Sequence, residues 1–531
     1  MRNYFIVGFL IIVLIISIVF MKNPNKKYKP EKVMISVNSM ITKKDKISVT
    51  MNTKKGYDIY YSLDGSIPNK TNKRYNKKLV LDKDSDLDNR REDDEFSKAI
   101  ILRARAVAPN GVAGPVETRT FFIGEDIYKK YSNVPIFSLV TDPKNLYDNK
   151  IGIMNENNID KKGKDWERDL FVEMFDGDEK ASFSEKAGIR VKGSVSRQYA
   201  QKSFNIYFRE DYGNKKLKYK LFEDAKDIDG NVIEEYKSFT LRNGGNDTEF
   251  LKYKDQWLQD LVRDRNVDTQ NGGAAIVFLN GEYFGVYNLQ EKYSDRYYAD
   301  HYNLDKDNIV VIKEDEVEEG KDEDIRLYNE LMEYSKKDLS DDKTYNEFLE
   351  IVDIESMLDY YAIEIYIGNA DWGKNKEDKD LHNTQLWRTR SKEDSKYGDC
   401  RWRWSLYDLE YSSSLYNQVE TSYTFNSISR AIDTQPLFAS AMKNNRFKKD
   451  FYERLEDIGI NNFDSEKVNK SLDEYEDKWK PLAMEYYKKF GVDETASLIY
   501  EYPKSAEYIR NSSIEEIKRY FENRYRIITN Y

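Results

Sequence analysis

The residues best suited to chemistry lie in the segment 368–410. Residues 384–388 and 401–407 each alternate aromatic and polar side chains, a pattern that predicts two short strands. If these strands pair as an antiparallel hairpin, the start of the first lies beside the end of the second, which brings Asn383 next to Asp408. An amide oxygen and a carboxylate held side by side are the hard oxygen ligands that Mg²⁺ prefers. The hairpin therefore predicts a magnesium site formed by Asn383 and Asp408.

A further carboxylate, that of Asp371, precedes this hairpin in a polar loop. A free carboxylate beside an Asn/Asp metal pair is the minimal equipment for phosphoryl transfer. Asn375 lies between Asp371 and Asn383 and is a rival metal ligand. We favour Asn383, because the start of a strand would hold it in place.

Upstream, Lys202 begins a predicted strand and shares one face of it with Phe204 and Ile206. A lysine on an apolar face needs an anionic partner, such as an acidic side chain or a phosphate, unless its flexible stem reaches solvent. Asp255 and Asp260, on the amphipathic helix predicted in KYKDQWLQDLVRDRN, are both candidate partners.

The sequence Asn280-Gly281, flanked by apolar strand residues, predicts a hairpin with a two-residue turn. A glycine turn, a lysine strand, a helix and a hairpin thus precede the candidate metal site. From about residue 296 to 365, and again from about 430 to the end, the pattern predicts helices.

Composition limits the chemistry. The chain has 531 residues with one cysteine, Cys400, and two histidines, His301 and His382. An internal disulfide is therefore excluded, and zinc sites or Ser-His-Asp catalysis lose most of their candidate residues. The net charge of −10, with mixed signs throughout, argues against nucleic acid as a partner.

Residues 1–32 are predicted to be a membrane anchor and linker. Residues 4–21 are almost entirely apolar, and as a helix they would just span a bilayer. No small-residue cleavage site follows, which favours an uncleaved single anchor. The lysines after it favour a cytoplasmic body, although the whole chain is rich in lysine.

Residues 33–124 are predicted to form a small all-β domain, with turn signals at Asp64-Gly65 and Asn110-Gly111. The segments YYSLDGSIP and ILRARAVAPNGVAGPV resemble the immunoglobulin-like domain at the C-terminus of chitobiase and β-hexosaminidase. That resemblance implies an accessory β-sandwich, here interpreted as a spacer. It also favours an extracytoplasmic location for the body.

The segments GIRVKGSVSRQYAQKSF, LRNGGND, FLNGEYFGVYNLQEK, GNADW with HNTQLW, and WRWSLYDLEYS resemble the spore-coat protein H (CotH) kinase family. The resemblance implies an α+β fold, an atypical protein-kinase-like bilobal domain over residues 131–531. Its N-lobe would span about 131–295 and its C-lobe about 296–531. It also implies phosphorylation of protein serine or threonine with ATP and Mg²⁺ or Mn²⁺; in spore formers the substrates are coat proteins.

The resemblance assigns roles to single residues. Asp371 would orient the substrate hydroxyl and accept its proton. Asp408 and Asn383 would bind metal. The residues implied for nucleotide binding are Lys202, Arg197 and Glu291, the last beside Lys292. Glu410 stands where the family has a second aspartate, and Gly193 is all that remains of a glycine-rich phosphate loop.

Other functions remain alternatives at this point. The same fold could transfer AMP instead of phosphate. The chain could also be a non-catalytic module of cell-surface or spore assembly, or one associated with carbohydrate, as the anchor and the small β domain would fit. A glycosidase using the carboxylate pair Asp371 and Asp408 has no support from the flanking motifs.

Overall fold

The structure is a computed structural model that describes residues 28–85, 96–374, 381–492 and 504–531. The chain divides into two compact units. The first runs to Asn158 and adds residues 168–186 and 277–284. The second comprises residues 159–167, 187–276 and 285–531.

Among its described residues, the first unit begins with the strands β1 (Met34–Ile35), β2 (Met40–Thr42), β3 (Lys46–Val49), β4 (Met51–Asn52), β5 (Asp58–Ser62), β6 (Lys73–Arg74), β7 (Leu79–Asp82), β8 (Ile100–Val107) and β9 (Ala113–Ile123). Five of them form a sheet in the order β2-β9-β8-β5-β6, while β1 pairs with β4 and β3 with β7. Buried side chains of the sheet and of the two smaller ladders share one core, which includes Val49, Ile59, Leu81 and Leu102.

A closed barrel follows, with the strand order β10-β11-β12-β13-β16-β18-β17. Its strands are β10 (Ile136–Val140), β11 (Arg168–Phe175), β12 (Phe183–Lys192), β13 (Ser203–Tyr207), β16 (Ser238–Arg242), β17 (Gly272–Leu279) and β18 (Glu282–Glu291). Two short strands, β14 (Leu217–Lys218) and β15 (Glu235–Tyr236), pair with each other. Strands β12, β17 and β18 belong partly to each unit.

The predicted Asn280-Gly281 hairpin is confirmed, because it joins the neighbouring strands β17 and β18. Asn280 has a φ of 49° and Gly281 a φ of 86°. Positive φ at both central residues is what a type I′ turn requires, and Asn-Gly adopts it at low cost.

The second unit contains a four-stranded sheet in the order β20-β19-β23-β24. Its strands are β19 (Ile309–Lys313), β20 (Glu316–Glu319), β23 (Gln385–Thr389) and β24 (Arg403–Ser405), and a small ladder joins β21 (Gly373–Lys374) to β22 (Leu381–His382). The predicted antiparallel hairpin is confirmed, with Gln385 opposite Ser405 and Trp387 opposite Arg403. Strands β19 and β20 lie where the sequence predicted mainly helix.

The α-helices of the described residues are α1 (Ile127–Lys130), α2 (Pro143–Tyr147), α3 (Lys254–Leu261), α4 (Asp295–Tyr302), α5 (Ile325–Met332), α6 (Asp342–Leu349), α7 (Ile354–Ile367), α8 (Ser427–Thr434), α9 (Pro436–Ala441), α10 (Asn445–Asn461), α11 (Ser465–Phe490) and α12 (Ala506–Ile528). The helical C-terminal region is thus as predicted. Helix α7 is capped at its N-terminus by Asp353, whose carboxylate accepts from the N–H of Ser356, and at its C-terminus by Gly368 with a φ of 65°. A side chain on Gly368 would meet the hydroxyl of Tyr520, so glycine also suits the packing there.

The predicted fold class needs correction. The structure is a mixed α/β fold in which the strands of the predicted N-lobe take part in a closed barrel. The sequence pattern could not predict that the barrel closes, because closure depends on strands far apart in the chain, such as β10 and β17. The domain limits 33–124 and 131–531 stay predictions.

The predicted transmembrane anchor and the membrane localisation based on it are also corrected. No helix among the described residues is long and apolar enough to cross a bilayer. The segment 4–21, on which both predictions depended, lies outside the described residues.

Candidate functional site

Asn383 and Asp371 lie in direct contact. The side-chain amide of Asn383 donates to the carbonyl of Asp371 at 2.7 Å and to its carboxylate at 3.1 Å. The antiparallel pairing of β21 with β22 explains this contact, because it places Gly373 opposite His382 and so brings the residues next to Asp371 and Asn383 together. The rival ligand Asn375 lies outside the described residues.

Asp371 is exposed to solvent as a residue. Partial desolvation by the surrounding protein and the negative charge of Glu410 raise the pKa of Asp371, against the effect of His382 and of the Asn383 amide. A raised pKa strengthens the carboxylate as a proton acceptor, which is what a general base needs.

Arg242, the last residue of β16, is the centre of a buried ion-pair cluster. Its guanidinium donates to Asp255 at 2.8 Å, to Glu410 at 2.6 Å and to Asp408. Only 8% of the Arg242 side chain is exposed, whereas 29% of the Asp408 side chain is. Three carboxylates, one from α3 and two from the segment after β24, thus share one guanidinium, and Asp408 is the most exposed of them.

Two of these acids, Asp255 and Glu410, accept further hydrogen bonds. Asp255 accepts from the N–H of Leu409 at 3.0 Å. Burial would raise the pKa of Asp255, but Arg242 together with this and other hydrogen bonds lowers it. Glu410 Oε1 also accepts from the N–H of Asn246, but the buried Glu410 Oε2 has no hydrogen-bond partner. Gly245 allows the close approach, since a Cβ there would lie 2.0 Å from Glu410 Oε1.

The two candidate metal residues share a backbone feature. Asn383 has a φ of 51° and Asp408 a φ of 64°. Asn and Asp tolerate this left-handed region better than most other side chains, although non-glycine residues there are uncommon and cluster at functional sites. No hydrogen bond joins Asn383 to Asp408 within the described parts of the chain: the first bonds to Asp371 and the second to Arg242.

Lys202 does not reach this cluster in the structure. It lies one residue before β13, and its ammonium group donates to the carbonyl of Tyr199 at 2.6 Å. Of its two candidate partners, Asp255 pairs with Arg242 and Asp260 with Arg263.

Arg197 and Glu291, also predicted to bind nucleotide, are both engaged inside the protein. The buried Arg197 guanidinium donates to the carbonyls of Gly193, Ile159, Lys161 and Val191 at 2.6–3.1 Å. These bonds fix the turn after β12.

The carboxylate of Glu291, at the end of β18, is buried too. It accepts from the N–H and the side-chain amide of Asn271, at 3.0 and 2.7 Å, and lies 3.0 Å from His301 Nε2. Its nucleotide-binding role, like that of Lys202 and Arg197, stays a prediction.

Sequence reasoning missed Arg242, Lys192, Lys313 and Tyr407. The ammonium groups of Lys313 and Lys192 lie 4.2 Å and 5.5 Å from the ring centre of Tyr407. Burial alone would raise the pKa of Tyr407, but Lys192, Lys313 and Arg242 outweigh it and lower the pKa to about 8. The alternation in GIRVKG was a usable signal, because it puts Arg190 and Lys192 on the face opposite Ile189 and Val191.

Below the site, Glu364 on α7 supports the Asp371 loop. Its Oε2 accepts from Asn369 Nδ2 at 2.9 Å, while its buried Oε1 has no hydrogen-bond partner. Burial raises the pKa of Glu364 to about 8; Asp255 adds to this, and Asn369 and Arg430 oppose it.

We expect Glu364→Gln to make the free energy of unfolding less dependent on pH. Glu364 keeps its proton in the folded chain up to about pH 8 but loses it near pH 4.3 when unfolded. Its contribution to stability is therefore full below that lower pH and is lost as the pH rises to about 8. Denaturant unfolding should show similar stabilities of variant and wild type at pH 4.5 and a more stable variant at pH 8. Parallel pH profiles would contradict a protonated Glu364.

The donor set fits a hard divalent cation. Asp408, Asn383 and Glu410 offer only oxygen ligands, and the unpartnered Oε2 of Glu410 is a buried acceptor that a cation would satisfy. No group of three or more acidic, His or Cys side chains in the described ranges forms a metal cluster, so the amide oxygen of Asn383 would have to complete the set.

Comparison with known proteins identifies two family models that match the chain. Residues 189–528 match the family model described as CotH kinase protein, which covers well over half of the chain. The chain belongs to the CotH kinase family. Residues 48–121 match the model described as Fn3 associated, so the finer chitobiase-like interpretation of this region is not confirmed. No curated protein matches the chain.

The residues of the candidate site lie inside the part of the chain that matches the CotH kinase family. Arg242, Asp255, Asp371, Asn383 and Asp408 all lie within the matched residues 189–528. The matched region also contains the Tyr407 ring with its two lysines. A kinase-like enzyme is the function class that the family indicates.

Proposed function

We propose that this CotH kinase family member transfers the γ-phosphoryl group of ATP to serine or threonine hydroxyls of a protein, with Mg²⁺ or Mn²⁺. The observation that carries the proposal is the Asp371–Asn383 contact, in a chain whose β23–β24 hairpin leads directly to Asp408. A proton acceptor and oxygen ligands for a metal are the two requirements of this transfer.

Asp371 would position the substrate hydroxyl and accept its proton. As the hydroxyl oxygen forms a bond to the γ-phosphorus, the bond from that phosphorus to the β–γ bridging oxygen breaks and ADP leaves. The amide of Asn383 orients the Asp371 carboxylate through its 3.1 Å hydrogen bond. Asp408 and Asn383 would hold the divalent cation, which neutralises charge on the phosphates when bound.

The test uses the full chain with ATP, Mg²⁺ or Mn²⁺, and dephosphorylated casein as acceptor. Mass spectrometry of casein and of the chain itself identifies the group added, and it separates phosphate from AMP. We expect phosphate on serine or threonine.

The Asp371→Asn variant should lower the rate by about 100-fold to 10,000-fold, the range for loss of a general base. Its affinity for nucleotide should stay unchanged, because Asp371 acts on the acceptor hydroxyl. The matched control is Asp433→Asn, which alters an exposed aspartate on α8 and should retain the wild-type rate. An AMP adduct, or full activity in Asp371→Asn, would overturn the proposal.

A further inference from the structure

Two lysines converge on the aromatic ring next to Asp408. The Nζ atoms of Lys313 and Lys192 lie 4.2 Å and 5.5 Å from the ring centre of Tyr407, so both ammonium groups border the same ring. Neither lysine was singled out by sequence reasoning. Both belong to the second unit, as does the whole candidate site.

Strand register places Lys192 on the face of β12 and β13 that leads to Arg242. Lys192 lies opposite Ser203, and directly opposed residues put their side chains on the same face. Phe204 lies opposite Leu241, so the register continues from Ser203 toward Arg242. Lys202, next to Ser203 in the chain, would point to the other face by alternation.

Lys313 reaches the same place from the sheet of the second unit. It is the last residue of β19 and lies opposite Gln385. The following residue, Glu314, accepts from the N–H of Asn383 at 3.4 Å and donates its own N–H to Thr384 at 3.0 Å. Lys313 therefore lies at the end of the hairpin that presents Asn383.

Carboxylates compensate little of the positive charge of these two lysines in the described parts of the chain. No carboxylate in the described parts of the chain lies within ion-pair distance of Lys192, and Lys313 has only Glu314 at 3.9 Å. Arg242 is already committed to Asp255, Asp408 and Glu410. Because Lys192 is half-buried, its ammonium group lacks the full hydration that would otherwise compensate.

We propose that Lys192 and Lys313 together bind the phosphate chain of the nucleotide, beside Asp408 and Asn383. This inference rests on the proposed function and deepens it by naming the phosphate-binding residues. A polyphosphate supplies several anionic oxygens along its length, so it can satisfy two ammonium groups that a single carboxylate could not bridge. Burial lowers the pKa of Lys192, which a bound anion would counteract.

Calorimetric titration of the full chain with a non-hydrolysable ATP analogue and Mg²⁺ tests this assignment. Lys192→Met and Lys313→Met remove the charge and keep the length of the side chain. Each should weaken binding by about 10-fold to 100-fold, the equivalent of one charge-assisted hydrogen bond, and the double variant should weaken it further. The matched control is Lys237→Met, an exposed lysine beside β16, which should bind as wild type.

A second titration distinguishes a failure of this inference from a failure of the proposed function. Inorganic tripolyphosphate replaces the nucleotide in this titration. If it binds through the two lysines while the ATP analogue does not bind to wild type, the anion site stands and the kinase proposal fails. If the analogue binds wild type and the double variant equally, the phosphate assignment is overturned. It is also overturned if Lys202→Met weakens binding while the Lys192 and Lys313 variants do not.

The variants Lys192→Arg and Lys313→Arg test whether weaker binding results from loss of charge or from misfolding. They keep the charge at each position and should retain binding within about tenfold. A loss of binding as large as that of the methionine variants, in a variant that melts like wild type, would show that charge at these positions is not what binds the phosphates.

Discussion

Replacement of Asp408 by asparagine is expected to lower the rate of phosphoryl transfer by about 1000-fold or more, the scale of a single charge contribution in this chemistry. Asp408 is the partly exposed carboxylate of the Arg242 cluster, so it is the acid that an incoming metal could reach. Asparagine keeps the size of the side chain and tolerates the φ of 64°. Only the negative charge is removed.

The measurement is the initial rate of phosphate transfer as a function of Mg²⁺ or Mn²⁺ concentration. Asp408→Asn should also lose the metal-dependent part of nucleotide binding, which Asp371→Asn should keep. The fold should survive, since Arg242 retains Asp255 and Glu410 as buried partners. A variant with the wild-type rate and the wild-type metal dependence would remove Asp408 from the metal site.

Replacement of Arg242 by methionine is expected to destabilise the second unit by about 3–5 kcal/mol, the usual result of removing one partner from a buried ion pair. Asp255 and Glu410 would be left buried, with 6% and 1% of their side chains exposed, and without their cation. Arg242 therefore contributes to the fold as well as to the position of Asp408.

Urea unfolding followed by tryptophan fluorescence measures this loss. The seven tryptophans of the chain all belong to the second unit: Trp166, Trp257, Trp372, Trp387, Trp402, Trp404 and Trp479. The matched control is Arg326→Met, whose pair with Glu330 at 3.7 Å is exposed and should be worth less than about 1 kcal/mol.

A second variant keeps the Arg242 prediction testable if Arg242→Met unfolds. Glu410→Gln in the Arg242→Met background removes one of the two buried carboxylate charges that lack a cation. It should therefore recover part of the lost free energy of unfolding. A loss below about 1 kcal/mol in Arg242→Met alone, or no recovery in the double variant, would contradict the role of Arg242 as a buried counter-ion.

Local patterns in the sequence predicted the elements that carry the site. Local sequence patterns alone predicted the Asn280-Gly281 turn, helix α3 and the β23–β24 hairpin. Each depends on short-range physics: left-handed backbone at a turn, helical spacing of apolar residues, or two-residue alternation. The order of the motifs also pointed to the CotH kinase family, which the match over residues 189–528 shows.

Tertiary structure decided which side chains meet. Asp255 was a candidate partner for Lys202 in the sequence, yet in the fold its cation is Arg242. That choice depends on how β12, β13 and β16 align within a barrel, and cross-strand register is a long-range property that residue spacing along the chain does not carry.

The sequence by itself thus determined the local elements, the exclusion of thiol and most histidine chemistry, and the family. Only the tertiary structure decided that Arg242 gathers three carboxylates, that Asn383 orients Asp371, and that Lys192 and Lys313 meet at Tyr407. The physical reason is that these contacts join segments far apart in the chain, where burial, charge compensation and strand register act together.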